Sequence, residues 1–376
     1  MLRVLLDATA IPVDRRGVGR YLEELIPALA RTDGLALVVA AQAHDAEAFG
    51  RTGAEVVAAS GRIASRRNRM VWEQTTLPAL ARRVGAQVVH SPHYTMPLAC
   101  RVPVVVTLHD ATFFSNPDLH QPLKRHFFRA ATRLAVRRAA ALVVPSAATR
   151  DELVRLVSPA AARAVVAHHG VDSATFHRPS DAEIEQLRRD LDLGSQDYVA
   201  FLGTIEPRKN LVNLVRGWQQ AASGRDRAPA MVLAGGRGWD AEIDDAVAAV
   251  TRSAPSLRLL RPGYLPVESL RALLGGAEVV AYPALGEGFG LPVLEAMACG
   301  TAVLTTRRLA LPEVGGDAVA YTETDAASIA AALTGLLDDP GRRLQLAAAG
   351  IARAAEFTWD RAAQAHLHAF RTALSR

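Results

Sequence analysis

The sequence predicts an α/β protein made of two lobes, each a doubly wound parallel sheet. Two observations carry this. Short aliphatic runs alternate with longer helical patterns, the rhythm of parallel strands joined by crossover helices. That rhythm pauses between Gly170 and Asp197, around Pro179 and a polar helix near Ala182–Leu191, and then restarts. A chain of 376 residues suits two domains of ordinary size. Half of its residues are hydrophobic, mostly Ala, Val and Leu with few aromatics, as strands buried on both faces require.

The elements follow in order. Strands are expected at Val4–Asp7, Ala36–Ala41, Val56–Ala59, Val88–His90, Val104–Leu108, Leu142–Pro145 and Val165–His168. Helices between them fall at Gly19–Arg31, Met70–Val84, Pro122–Ala140 and Ala147–Val157. After the pause, strands are expected at Val199–Leu202, Met231–Ala234, Leu257–Leu260, Val279–Tyr282, Ala302–Leu304 and Val319–Tyr321. Their helices are Leu211–Ala222, Pro266–Leu274, Pro292–Ala298 and Ala326–Leu336. The tail from Arg342 to Ser375 reads as amphipathic helix, interrupted near Phe357-Thr358-Trp359. The expected division is therefore residues 1–172, then 173–358, with a last helix 359–376 packing back on the first lobe. Such Rossmann-like pairs bind ligands at the carboxyl ends of their strands.

Composition narrows the function. A net charge of +5 is mild over this length and favours anionic partners without choosing among them. No basic run interleaved with aromatics and no zinc-finger spacing points to nucleic acid. Cys100 and Cys299 stand far apart, outside any metal spacing, as reduced thiols do in the cytoplasm. No His-x3-His or His-Glu-x2-His spacing supports a catalytic metal. No apolar run spans a bilayer. The expectation is a cytoplasmic protein, at most peripheral on the inner face of the plasma membrane.

The richest segment is Gly286 to Gly300, where Glu287 and Glu295 stand eight positions apart. Gly288 and Gly290 allow close backbone approach to a ligand, and Pro292 suits the first turn of a helix. The N–H groups around Phe289, Gly290 and Leu291 then face an anion at the positive end of that helix. One acid precedes the anion site and the other lies about one turn inside the helix. Such a pair can hold the two ends of a phosphorylated sugar. A second loop, Gly203 to Asn210, follows a strand and carries Arg208-Lys209, a planar fork and a point charge suited to a diphosphate.

In the first lobe, His109-Asp110 follow a buried strand, where His109 can hydrogen-bond a sugar hydroxyl and Asp110 can orient it. Gly17 and Gly19 open the first helix without the third glycine of a dinucleotide fingerprint. Asp14, Arg15, Arg16 and Arg20 beside them can touch an acceptor or phosphate. Arg125, Arg129, Arg133 and Arg137 recur at i, i+4 and make a basic face opposite Phe127, Phe128 and Leu134. That face is an ordinary solvated surface or a contact for anionic headgroups. Arg62, Arg66, Arg67 and Arg69 form a second basic patch on a loop.

Together these segments resemble the retaining GT-B glycosyltransferases of family 4, over essentially the whole chain. The resemblance rests on Gly17 to Tyr21, Trp72-Glu73-Gln74, His90 to Tyr94 and Thr107 to Asp110. It continues through Gly170-Val171-Asp172, Gly203 to Asn210, Ala234 to Trp239, Pro262-Gly263-Tyr264, Glu287 to Gly300 and Leu311 to Ala318. It implies two Rossmann-like domains facing across a cleft. It also implies that Glu287 contacts the donor sugar, Glu295 the ribose, and Arg208 and Lys209 the diphosphate. Phe289, Gly290 and Leu291 would give backbone N–H groups, and His109 would reach the sugar. Gly17, Gly19, Gly203 and Gly288 complete the donor contacts, while Asp14, Arg20, Tyr94 and Asp110 stand on the acceptor side. His169 departs from the asparagine common at its position.

The implied activity is metal-independent transfer of a hexose, with no cofactor, from a nucleotide-diphosphate sugar to a glycan or lipid-linked acceptor. The motif style is similar to bacterial mannosyl- and rhamnosyltransferases, which leans to a GDP-sugar. Two other classes compete: a nucleotide-sugar epimerase on the same scaffold, and a non-catalytic subunit. The first needs an acid/base set around the ring beyond His109 and Asp110, and the second a degraded Glu287 or Lys209. A small-metabolite acceptor is a further alternative.

Overall fold

The computed structural model describes residues 1–11 and 17–375. In chain order the first part holds β1 (Leu2–Asp7), α1 (Gly17–Ala30), β2 (Leu35–Ala41), α2 (Ala46–Gly50), β3 (Glu55–Ala58), α3 (Arg66–Arg83) and β4 (Val88–Ser91). It continues with β5 (Val104–Thr107), α4 (Thr112–Ser115), α5 (Pro122–Arg138), β6 (Ala141–Val144), α6 (Ala147–Leu156) and β7 (Val165–Val166). The second part opens with α7 (Asp181–Asp190), β8 (Tyr198–Leu202), α8 (Leu211–Ala222), β9 (Ala230–Ala234), α9 (Ile243–Ser253), β10 (Leu259–Gly263) and α10 (Val267–Gly275). It closes with β11 (Val279–Tyr282), α11 (Leu291–Ala298), β12 (Val303–Thr306), α12 (Leu311–Gly315), β13 (Ala320–Thr322), α13 (Ala326–Asp338) and α14 (Pro340–Ala354); α15 (Trp359–Leu374) ends the chain.

The chain forms two compact units, Met1–Gly170 with Thr358–Arg376, and Val171–Phe357. The first sheet runs β3-β2-β1-β4-β5-β6-β7 and the second β10-β9-β8-β11-β12-β13, every pair parallel. The fold class is therefore α/β with two Rossmann-like domains. In each sheet the order reverses beside the first strand, at β1/β4 and at β8/β11. Loops that leave two such strands diverge to opposite faces and open a crevice at their carboxyl ends.

Local chemistry sets the element ends. Ser180 and Glu183 form a reciprocal capping box at α7, and Ser146 and Thr358 cap α6 and α15. α15 belongs to the first unit because its apolar stripe of Ala362, Ala363, Leu367 and Phe370 is buried there. Its His366 is buried too. The ring hydrogen on Nδ1 goes to the Ala362 carbonyl (2.7 Å), so Nε2 accepts from the Tyr21 hydroxyl (2.7 Å). His90 (hydrogen-bonded to Thr107 at 2.8 Å) and His169 (stacked on Trp359 at 5.7 Å) complete a buried histidine cluster around Tyr21.

Expectations change at several elements. Helix α9 was not expected, because alanines dilute its Ile243, Ala246 and Val250 stripe. Helix α12 was not expected either, and β7 ends at Val166, two residues short of the run expected. The strand expected at Leu257–Leu260 starts later and runs to Gly263, where a register shift against β9 lengthens it. The second basic patch is not a loop throughout. Ser65 accepts the Asn68 N–H, α3 begins at Arg66, and Arg69 pairs with the buried Glu73 at 3.2 Å.

Candidate active site

The second unit places its functional side chains at the β8/β11 switch point. β8 is buried throughout, between β9 and β11, and the chain leaves the sheet at Gly203. Pro207–Lys209 make one 3-10 turn, and Asn210, at φ 60°, closes it. The Asn210 amide donates to the carbonyls of Pro283 (3.2 Å) and Thr324 (2.7 Å). The Leu285 N–H donates to the Arg208 carbonyl at 2.9 Å. These bonds lock the β8 loop to the β11 loop. Gly238, on the loop after β9, packs from the other side, where an added Cβ would lie 1.7 Å from the Ile205 carbonyl oxygen.

The β11 loop then reaches Gly290, the left-handed N-cap of α11, with Pro292 in the first turn. The ring of Phe289 is buried against Phe357 (centroids 5.9 Å), so only its backbone can serve a ligand. Leu291 opens the helix, and its N–H points out of the helix end. Glu295 lies within α11 and is 2% exposed.

Arg208 and Lys209 converge on Glu287. Arg208 Nη1 lies 2.5 Å from Glu287 Oε2 and also donates to the Gly286 carbonyl at 2.9 Å. Lys209 Nζ donates to Glu287 Oε1 and to the Tyr282 hydroxyl. Tyr282 in turn donates to Glu287 Oε1 at 2.9 Å. Glu206 adds a weaker contact to Arg208 at 3.4 Å. Burial pushes the Glu287 carboxyl up, but the Arg208 and Lys209 charges and their hydrogen bonds outweigh it and hold it at about 2. The Lys209 ammonium is pushed down, by burial first and Arg208 second; Glu287 offsets this only in part. The two partners respond unequally because one carboxylate serves two cations. Burial, then the Glu287 charge, raises the Tyr282 phenol, which therefore stays protonated and can donate. The cluster is two cations and a phenol gathered on Glu287, with Glu206 more loosely on Arg208, four residues before the N-terminus of α11; a phosphate could take the place of a carboxylate there.

Tyr282 was not singled out from sequence. It reads as the last residue of an aliphatic strand, and only its stacking on Phe201 (5.6 Å, 9°) turns its hydroxyl toward Lys209.

In the first unit, His109 follows β5. Its Nε2 donates to the Pro92 carbonyl at 2.7 Å, which leaves Nδ1 as the ring's acceptor. Burial pulls its pKa down, so the ring is neutral. Asp110 Oδ1 accepts from the Thr112 N–H (3.1 Å) and hydroxyl (2.9 Å) and opens α4. Tyr94, in the left-handed region and 3% exposed, accepts the Asp110 N–H at 3.0 Å. It thus positions Asp110 rather than presenting its own hydroxyl. Gly17, Gly19 and Arg20 lie in the first turn of α1. Asp14, with Arg15 and Arg16, lies outside the described residues.

The basic face of α5 is corrected. Each i, i+4 step turns a helix by about 40°, so three steps separate Arg125 from Arg137 by about a third of a turn. Arg133 and Arg137 are exposed, whereas Arg129 is half-buried on Phe114 of α4 and Arg125 is half-buried beside Pro117, past the end of α4. Of the apolar residues expected opposite, Phe127 is exposed (36%), while Phe128 packs inward, stacked on Phe113 at 4.7 Å, and Leu134 is half-buried. Among the described residues, no group of three His, Cys, Asp or Glu is placed to hold a metal ion, and no helix is long and apolar enough to cross a membrane.

Two all-parallel doubly wound domains, with a cation pair near a helix N-terminus at a switch point, suit an enzyme that handles a phosphorylated ligand. Residues 15–175 match the family described as Glycosyltransferase Family 4, and residues 183–353 the family described as Glycosyl transferases group 1. The chain is 30% identical to O-antigen chain mannosyltransferase B of Escherichia coli, over 76% of this chain and 74% of that protein. It is 33% identical to D-inositol 3-phosphate glycosyltransferase of Mycolicibacterium paratuberculosis, over 73% of this chain and 62% of that one. Among solved structures, Anabaena Alr3699/HepE in complex with UDP and glucose superposes with a TM-score of 0.76 at 18% identity, covering 98% of this chain and 99% of that one. The chain belongs to glycosyltransferase family 4 and is a glycosyltransferase.

Proposed function

We propose that this glycosyltransferase moves a hexose from a nucleotide-diphosphate sugar to a hydroxyl of a glycan, glycolipid or lipid-linked acceptor in cell-surface polysaccharide synthesis. GDP-mannose or GDP-rhamnose is the favoured donor. The reading is supported by the E. coli mannosyltransferase relative and by the motif style of the Arg208-Lys209 loop. The single observation that carries the donor class is the convergence of Arg208 and Lys209 on Glu287 beside the N-terminus of α11.

In this reading the donor diphosphate takes the place of Glu287 as partner of the two cations. Glu287, released, accepts from hydroxyls of the sugar. The N–H groups of Phe289, Gly290 and Leu291 complete the phosphate contacts, and Glu295 takes the ribose diol. Gly203 and Gly288 keep the floor free of side chains. His109 takes a hydroxyl of the sugar at Nδ1, and Gly17 and Gly19 belong with it on the first unit. Arg20 and Asp110, with Asp14, serve the acceptor.

The bond from the anomeric carbon to the diphosphate oxygen breaks as the acceptor oxygen bonds the same carbon. The acceptor proton passes to the departing phosphate oxygen, on the face the diphosphate leaves, so configuration is retained. Negative charge grows on the diphosphate as the bond breaks, and Arg208, Lys209 and the helix end stabilise it without reorganising. These groups supply the positive charge that the leaving group needs, which is why the reading assigns no metal.

The test is a thermal-shift screen of GDP-, UDP- and dTDP-sugars, followed by NMR of the product's anomeric proton. Tight binding stabilises the fold by about 2.7 kcal/mol at a hundredfold excess over Kd. A GDP-hexose is expected to give the largest shift and a retained anomer. An inverted product, or no response to any nucleotide sugar, overturns the reading.

A further inference from the structure

The arginines of α5 do more than decorate a surface. Phe114 lies on α4, just past the carboxyl end of β5 and four residues from Asp110. The guanidinium of Arg129 sits 5.1 Å from the Phe114 ring centroid, and that of Arg133 sits 5.2 Å from the same centroid. Among the described residues, neither makes an ion pair with a carboxylate. Arg129 Nε is sealed from solvent with no hydrogen-bond partner, and so is Nε of Arg125 one turn earlier. Arg125 has only Asp118, at 3.6 Å and 95% exposed, together with the Pro117 carbonyl at 3.4 Å.

Two cations therefore share one ring and a third stands a turn earlier, with the solvated Asp118 beside Arg125 and the buried Glu152, which accepts from Ser115 of α4, already paired with Arg155. Attraction to the ring stabilises each guanidinium modestly. It does not neutralise like charges held side by side, one of them, on Arg129, partly withdrawn from water. A ring that spaces two planar guanidinium forks leaves their N–H edges for an oxyanion, the geometry that suits phosphate. The position is on the ligand edge of the first unit's sheet, in the same loop region as His109 and Asp110, where the acceptor residues were assigned.

We propose that Arg129 and Arg133, set on Phe114 and flanked by Arg125, bind a phosphate or diphosphate group carried by the acceptor. This rests on the transferase reading given above. The phosphate can come from a soluble phosphorylated sugar or from a lipid-linked carrier, and both present the same oxyanion to the same two forks.

The experiment uses the full chain with its donor site filled by saturating nucleoside diphosphate, so that Arg208 and Lys209 are occupied. Binding is measured for glycerol 3-phosphate by calorimetry. In parallel, binding is measured for phosphatidylcholine vesicles doped with a polyprenyl phosphate, by flotation. Wild type is compared with R133Q, R129Q/R133Q and R137Q. Arg133 is exposed, so R133Q should leave the melting temperature of the first unit unchanged and isolates binding from folding.

The expected result is at least a tenfold loss of affinity in R133Q and a larger loss in R129Q/R133Q, with R137Q unchanged. A loss for the soluble phosphate identifies a soluble acceptor group; a loss confined to doped vesicles identifies a lipid-borne one. Equal binding by wild type and R129Q/R133Q overturns the proposal. So does equal flotation on phosphatidylglycerol vesicles lacking polyprenyl phosphate, because the arginines would then read a membrane surface. Binding of the nucleoside diphosphate itself, measured first, reports the donor reading separately. Its failure with intact phosphate binding at Arg129 and Arg133 would refute the donor assignment alone.

Discussion

Replacing Glu287 by Gln removes one negative charge from beside two cations and changes little else. The cost can be worked out in two ways. Holding a carboxyl at about 2 rather than 4.5 corresponds to about 3 kcal/mol of preferential stabilisation of its charged form. Deleting one partner of a buried ion pair costs about 3–5 kcal/mol; Glu206, still 3.4 Å from Arg208, keeps the loss at the low end. Both routes give about 3 kcal/mol. For a unit of this size, that is a fall of roughly 6–12 °C in melting temperature.

The same variant separates the roles of Glu287. In wild type the Glu287 carboxylate already pairs with both Arg208 and Lys209, so on the proposed reading a diphosphate would displace it. In E287Q the cations lack that partner. Saturating nucleoside diphosphate is therefore expected to raise the melting temperature of E287Q by more than that of wild type, while sugar transfer is lost. The assay is differential scanning fluorimetry with and without nucleoside diphosphate, beside a transfer assay. A second signature comes from pH. A carboxyl with a depressed folded pKa contributes its stability above about pH 4.5 and loses it as pH falls toward 2; E287Q should lack that slope. An E287Q melt within about 1 °C of wild type, or one that does not respond to nucleoside diphosphate, would refute the counter-ion argument, against the roughly 3 kcal/mol expected.

Further outcomes follow from the same geometry. Tyr282→Phe removes a hydroxyl that joins Lys209 to Glu287. It is expected to cost about 1.5–3 kcal/mol in the second unit and to lower kcat more than it raises the donor KM, as steady-state kinetics would show. Gly238→Ala would drive a methyl into the Ile205 carbonyl, push the Arg208 loop off its seat, and cost at least about 1–3 kcal/mol by thermal melting. His109→Gln should lower kcat about tenfold or more and leave nucleoside diphosphate binding, read by calorimetry, at the wild-type level. In the first unit, burial holds His366 at about 4 against an ordinary 6.5, and His90 and His169 are pushed down for the same reason. The unfolded chain binds these protons first, so stability is full above pH 6.5 and falls as pH drops toward 4. The loss is about 3 kcal/mol for His366 alone. Circular dichroism melts between those pH values should show the first unit failing before the second.

Much of this protein is written locally in its sequence. Parallel strands buried on both faces are short aliphatic runs, and they were legible because such a run carries the signal by itself; the edge strands β7 and β13 are shorter than, or offset from, the runs that announce them. Caps and glycines marked where the strand-to-helix turns fall, and the residues of those turns named the candidate cations and acids. Helix α9 was not legible, because a stripe of alanines has little contrast. What only the tertiary structure decided is which of those residues meet. Lys209 and Glu287 lie 78 positions apart and touch because β8 and β11 are neighbours at a switch point. Tyr282 joins them only through its packing on Phe201. The arginines of α5 looked like one face, but a helix turns by a little more than a whole turn every four residues, and α4 gathers two of them around Phe114. Local periodicity fixes each element. The convergence of charges depends on strand order, which no window of the sequence contains.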